Sequence, residues 1–273
     1  MDVSQALEMV SRTDAGMVRA HNEDAVFTKL NLGLAILADG MGGYNAGEVA
    51  AGMATAFLGA ELEKAFSKRA AHHRDHGRKR YADAVLEAEI ARANTAIYQA
   101  AQSQPQYNGM GTTLVAALFY DDLVTVAHIG DSRLYRLRGG DLQLMTRDHS
   151  LLQEQIDSGM ITATEARSSQ NRNLVTRALG VDPAVEPEIR DYDTLPGDIY
   201  LLCSDGLNDM VEDGEIATTL QSLSANLELA ATQLIQMAND NGGRDNVSVV
   251  LVKIVREYPA PRSWLSKLLA WVR

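Results

Sequence analysis

An α+β fold with antiparallel sheets is predicted from three observations. β-rich runs follow one another across short turns between residues 112 and 145. Two long helical segments precede them and two shorter ones follow. Strands and helices thus come in runs, which argues against an alternating βαβ sheet. With 273 residues the chain can bury a sizeable core, in one large domain or two small ones.

The elements are read in order. Leu32 to Ala38 is apolar and ends at Asp39-Gly40, as a buried strand feeding a glycine-rich turn does. Glu48 to Phe66 is rich in alanine and leucine and free of proline, so a buried helix is expected. Tyr81 to Gln102 predicts a second helix, with Val85, Ile90, Ala93 and Ile97 near one face. The basic insert Lys68 to Arg80, with His72, His73 and His76, is read as a solvated loop or helix end. Thr112 to Tyr120, Leu123 to Ile129, Leu134 to Leu137 and Leu142 to Met145 predict a run of hairpins, turning at Asp121-Asp122 and Gly139-Gly140 among others. Ser150 to Gly180 is polar and helix-prone. Ile199 to Cys203 is a buried strand, Asp213 to Gln221 and Asn226 to Asp240 are helices, and Val247 to Val255 is a closing strand.

Composition narrows function. A net charge of −11 argues against a nucleic-acid partner held through its phosphates. A single cysteine, Cys203, forbids an intrachain disulfide and suits a reducing compartment. Met1 to Val10 lacks the apolar core of a secretory signal, and no apolar stretch is long enough to span a bilayer, so a cytoplasmic protein is expected.

Five short motifs carry the chemistry: Arg19-Ala20-His21-Asn22-Glu23-Asp24, Asp39-Gly40-Met41-Gly42-Gly43, Gly130-Asp131-Ser132-Arg133, Ser204-Asp205-Gly206 and Arg244-Asp245-Asn246. Most of their aspartates stand where an apolar run meets a glycine or a turn, so folding can gather them at one place. Clustered carboxylates cannot all stay ionised without cations. Oxygen ligands with no evident Cys/His cluster suit Mg²⁺ or Mn²⁺ better than Zn²⁺. Two such ions could share Asp39 and hold a water between them, with Arg19 as the fork that grips a phosphate. The reading is a multi-metal hydrolase.

In combination, Arg19-x-x-Asn22-Glu23-Asp24, Asp39-Gly40-Met41-Gly42-Gly43, Gly111-Thr112-Thr113, Gly130-Asp131-Ser132-Arg133, Ser204-Asp205-Gly206-Leu207 and Asp245-Asn246-Val247-Ser248 resemble the PP2C family of metal-dependent protein serine/threonine phosphatases, in its compact bacterial form. The resemblance covers about residues 8 to 256. It implies a sandwich of two antiparallel sheets flanked by helix pairs, forming a phosphatase domain over 1–258 with a flap insert at about 150–195. It further implies that Asp39 bridges two core Mn²⁺ or Mg²⁺ ions and that the Gly40 carbonyl binds one of them. Asp205 and Asp245 would bind the other, with Glu23 beside the pair. Arg19 would hold the substrate phosphate, and Asp131 with Asp205 would form a weaker third metal site. The implied partners are phosphorylated proteins, a serine/threonine kinase, or both.

Some relatives in that family carry a histidine directly after the Asp-Gly pair as general acid; here the position is Met41. His149 is weighed as an alternative donor against a structural role at the flap base. Cys203 is followed six residues later by Asp209 rather than arginine, so cysteine-based phosphatase chemistry is not expected and a buried hydrophobe is. Pro259-Ala260-Pro261 reads as a spacer before a short amphipathic segment, Ser263 to Arg273. That segment could pack on its own domain, dock a partner, or lie on a membrane surface. The rival functions are a catalytically silent phosphoprotein-binding regulator, a regulatory phosphatase acting on anti-sigma-factor antagonists, and a small-molecule phosphomonoesterase.

Overall fold

The computed structural model describes residues 3–43, 45–68, 71, 80–162, 165 and 174–259. The chain opens with β1 (Leu7–Asp14), β2 (Asp24–Lys29) and β3 (Leu34–Met41), then two 23-residue helices, α1 (Ala46–Lys68) and α2 (Tyr81–Ser103). Strands β4 (Gly111–Thr112), β5 (Leu114–Tyr120), β6 (Leu123–Ile129), β7 (Arg133–Arg138) and β8 (Asp141–Leu144) follow. The rest comprises α3 (Leu151–Asp157), β9 (Glu188–Asp193), β10 (Ile199–Cys203), a short α4 (Asp205–Asn208), α5 (Asp213–Ser222), α6 (Leu227–Asp240) and β11 (Val247–Ile254).

The strands form two antiparallel sheets, ordered β1-β11-β10-β7-β8 and β2-β3-β5-β6-β9, with the short β4 paired to β3. Because strand side chains alternate faces, each central strand serves two cores. Ala35 and Leu37 of β3 point between the sheets, meeting Tyr200, Leu202, Val250 and Val252 from the other sheet. Leu34, Ile36 and Ala38 point the opposite way, against α1 and α2. On the far side Ile199, Leu201 and Cys203 of β10 pack against α5 and α6. The layers run helices, sheet, sheet, helices, as the resemblance implied.

Local chemistry explains several boundaries. Asp121 and Asp122 both have positive φ, 51° and 58°, the backbone that a two-residue hairpin needs between β5 and β6. Glu212 and Glu215 form a reciprocal capping box that starts α5. The Asn226 side chain accepts the Leu229 N–H and starts α6.

The structure differs from expectation in places. The strand read as ending before Asp39 continues through Asp39 and Gly40 to Met41, because β4 gives it a partner there. The expected single run of hairpins is split: β5–β6 lies in one sheet and β7–β8 in the other, with Gly130-Asp131-Ser132 crossing between them. Within the expected flap, Ser150 caps α3, but Glu188–Asp193 is an edge strand paired with β6. The histidines at 72, 73 and 76 and the segment 263–273 lie outside the described residues. Among the described residues, no helix is long and apolar enough to cross a membrane.

Candidate metal centre

The motif residues converge where the two sheets meet. Asp39 on β3 stands directly opposite Asp24 on β2, which puts two carboxylates side by side on one face. Asp131 lies in the crossover after β6, Asp205 opens α4 just past β10, and Asp245 precedes β11. The field on Asp39 comes from Asp24, Asp205, Asp131 and Asp245 together, so folding has gathered carboxylates that lie far apart in sequence.

Hydrogen bonds fix the frame. Thr113 accepts the Asp39 N–H on its Oγ1 at 3.0 Å, and its own N–H donates to the Asp39 carbonyl at 2.9 Å. Thr112 Oγ1 donates to the same carbonyl at 2.8 Å. Thr113 Oγ1 also pairs with Ser132 Oγ at 2.7 Å, tying Asp39 to the Asp131 turn. Ser204 Oγ donates to Asp24 Oδ2 at 2.8 Å. Asn246 accepts the Glu23 N–H at 2.8 Å and donates to the carbonyls of Ala15 and His21, which anchors the loop carrying Arg19. Arg19 itself donates to Asp245 Oδ2 at 2.7 Å across 226 residues of chain. Its side chain is 51% exposed, so other guanidinium N–H groups face solvent at the edge of the site.

Backbone approaches are close. A Cβ on Gly40 would lie 2.1 Å from the Gly47 carbonyl oxygen and 2.6 Å from that of Glu23. One on Gly47 would lie 2.7 Å from the Gly40 carbonyl carbon and 2.9 Å from Glu23 Cδ. Only glycine lets β3, the Glu23 loop and the start of α1 meet here.

The protonation preferences report crowding. Burial first, then the charges of Asp24, Asp205, Asp131 and Asp245, hold the Asp39 carboxyl well above the usual range. Burial and the charges of Asp131, Asp209, Asp245 and Asp24 do the same to Asp205. Burial pushes Asp24 up to about 6, against the pull of its hydroxyl partners. Burial and the Asp148 charge push Asp131 up to about 6. Burial also raises Glu23, opposed chiefly by the Arg19 charge. Glu23 Oε1 and Asp24 Oδ1 are buried without a hydrogen-bond partner, a costly state for a carboxylate oxygen. Carboxyl groups that resist ionisation, leave buried oxygens without a hydrogen bond and offer oxygen donors alone fit hard divalent cations of the Mg²⁺ or Mn²⁺ type.

All seven site residues read from the sequence, Arg19, Glu23, Asp39, Gly40, Asp131, Asp205 and Asp245, lie at or around this cluster. Asp24, Thr113, Ser132, Ser204 and Asn246 were given no role. Each sits inside a quoted motif, which was the available signal. His149 is 5% exposed and its Nδ1 accepts the Gly130 N–H at 3.2 Å, which ties the ring to the turn that carries Asp131. Cys203 is fully buried, and burial pushes its thiol up to about 12, in keeping with a packing role. His128, His149 and Glu188, none of them in the quoted motifs, also come together, and His149 reaches the Asp131 turn through Gly130.

The family model described as protein phosphatase 2C matches residues 17–250. The chain belongs to the protein phosphatase 2C family. Serine/threonine protein phosphatase PstP of Mycobacterium tuberculosis is 41% identical over 253 residues, which is 93% of this chain and 46% of that protein. This chain thus spans about half the length of that relative. Serine/threonine phosphatase stp of Listeria welshimeri is 39% identical, covering 89% of this chain and 94% of its own. Among solved protein phosphatase 2C structures, the PstP catalytic domain in complex with two manganese ions superimposes with a TM-score of 0.78 at 39% identity, over 92% of this chain and 99% of that one. Stp1 from Staphylococcus aureus gives 0.82 at 35% identity, over 93% and 97%.

Proposed function

We propose that this chain hydrolyses phosphoserine and phosphothreonine esters on proteins, using two Mn²⁺ or Mg²⁺ ions held by the carboxylate cluster. The observation that carries the reading is the buried ring around Asp39, whose like charges and orphaned oxygens are otherwise unexplained. Asp39 and the Gly40 carbonyl, Glu23, Asp205 and Asp245 would hold the core pair, and Asp131 with Asp205 a weaker third ion. When bound, the cations lower the pKa of a water and offset charge on the phosphoryl oxygens.

The chain's own groups do the rest. Arg19 offers its exposed N–H fork to the phosphate while Asp245 holds the guanidinium in place. Thr112 and Thr113 hold the Asp39 backbone still, so its carboxylate need not reorganise. Met41 cannot supply a proton, so the leaving seryl or threonyl oxygen must take one from a water at the site or from another group. A serine/threonine kinase that phosphorylates the same proteins is the natural counterpart. Residues 1–258 form the phosphatase domain, and the buried Tyr258, whose N–H donates to Asp122 at 2.6 Å, supports that limit. The sequence of residues 259–273 reads as a spacer and a short amphipathic segment, and membrane contact through it is not favoured.

Release of phosphate from a phosphothreonine peptide tests the reading. Turnover with Mn²⁺ that disappears with EDTA and in Asp39→Asn is expected. No turnover by the metal-loaded wild type would replace the enzyme by a silent phosphoprotein-binding regulator.

A further inference from the structure

His128, His149 and Glu188 bring ligand-type atoms within 4.8 Å of one another, the arrangement of a cation site. Hydrogen bonds decide against that use. His128 Nε2 lies 2.9 Å from the Arg147 carbonyl oxygen, which can only accept, so this nitrogen carries the proton. The Gly130 N–H donates to His149 Nδ1 at 3.2 Å, so Nδ1 is bare and the neutral ring keeps its proton on Nε2. Both protonated Nε2 atoms lie near Glu188 Oε2, at 3.8 and 3.7 Å. Neither has a lone pair for a metal. The rings stack with centroids 4.9 Å apart and planes 19° from parallel, and both are 5% exposed or less. Burial chiefly lowers both imidazoles, and nearby positive charge, Arg190 for His128 and Arg177 for His149, adds to it.

The use of the His149 ring is therefore in what its Nδ1 holds. Gly130 is gripped twice: its N–H by that Nδ1, and its carbonyl by the His149 backbone N–H at 2.9 Å. The next residue in the turn is Asp131. On the other flank, Asp148 accepts three hydrogen bonds from Arg133, two from Nε at 3.0 and 3.2 Å and one from Nη2 at 2.7 Å. The dipeptide Asp148-His149 thus clamps both residues that bracket Asp131-Ser132. Gly130 has φ +98°, and a Cβ there would lie 2.7 Å from Thr113, so the turn has one seat.

The clamp also belongs to the flap base. The His149 carbonyl accepts the Thr176 N–H at 2.8 Å, Leu151 donates to the Leu174 carbonyl at 2.9 Å, and Ser150 bridges Val175. We propose that Asp148-His149 is a positioning clamp that presents Asp131 to its cation and couples that site to the base of the flap. This rests on the phosphatase reading above, and His149 acts here as a positioning residue without touching the substrate.

Direct Mn²⁺ binding on the full chain, by titration calorimetry and by electron paramagnetic resonance of free Mn²⁺, tests it. In His149→Ala the weakest Mn²⁺ site should lose about 10–100-fold in affinity, the usual effect of removing a group that orients a ligand, while the tighter sites persist. His149→Asn should restore most of the loss, because its amide oxygen stands where Nδ1 stood and accepts the Gly130 N–H. Asp148→Asn should weaken the same site, and it decides the matter if His149→Ala does not fold. Unchanged Mn²⁺ binding in folded variants, with only a lowered melting temperature, would leave a purely structural role and overturn the clamp. A wild type that binds no Mn²⁺ would overturn the phosphatase reading and the clamp with it. A wild type that binds Mn²⁺ and turns over, beside an equally competent His149→Ala, would overturn the clamp alone.

Discussion

Asp131→Asn is expected to stabilise the metal-free protein at neutral pH. Asp131 is 8% exposed. Burial, then the Asp148 charge, push its carboxyl from 3.8 up to about 6. Unfolded, the group titrates near its ordinary value. Between about pH 4 and 6 the folded state therefore binds more protons than the unfolded one, and stability falls as pH rises through that window. About two pKa units correspond to ~3 kcal/mol, an upper value, fully expressed by pH 7 and absent below pH 4. Asparagine has no charge to lose, so the variant lacks this slope. In EDTA at pH 7.5, denaturant melts should place it above wild type by as much as ~3 kcal/mol, or roughly 6–12 °C in Tm for a chain of this size. At pH 4 the two should coincide. Adding Mn²⁺ should reverse the order, because wild type gains binding free energy that the variant partly loses. A variant no more stable than wild type in EDTA at pH 7.5, or a gain that persists at pH 4, would refute the reasoning.

Other outcomes follow from the same geometry. Arg19→Ala removes the proposed phosphate fork and should cut kcat/KM on a phosphothreonine peptide by about 100-fold, the scale of ~2.7 kcal/mol in the transition state; steady-state kinetics at saturating Mn²⁺ would read it. Gly47→Ala forces a Cβ to within 2.7 Å of the Gly40 backbone, so it should cost about 1–3 kcal/mol in denaturant melts and lower activity by displacing Glu23. Cys203, fully buried with its thiol pushed up to about 12, should resist iodoacetamide in the native protein and react after unfolding; mass spectrometry reads the difference, and alkylation of the folded protein would contradict the packing.

Elements with a strong hydrophobic signal were legible in the sequence. β10 reads Ile-Tyr-Leu-Leu-Cys and is buried at every position, and α2 shows its buried Ile90, Ala93 and Ile97 at helical spacing. β1, β2 and β9 went unread because their burial does not alternate; β2 is partly buried along most of its length and β9 is an edge. Which hairpin joins which sheet was equally invisible, since a period of two fixes the face of a strand and not its partner. The carboxylates could be named from their motifs, yet Asp24 acquires meaning only through its register with Asp39. The His128–His149 stack joins residues from a strand and a distant loop, and no local pattern announces it.

The position of β11 has a consequence for biosynthesis. The last strand of the described fold lies between β1, the first, and β10, and Asp245, with its grip on Arg19, stands at its threshold. A nascent chain emerging from the ribosome therefore carries an open slot in one sheet until that strand arrives. On the proposed phosphatase reading, synthesis interrupted before Asp245 is expected to yield a polypeptide unable to strip phosphate from a protein.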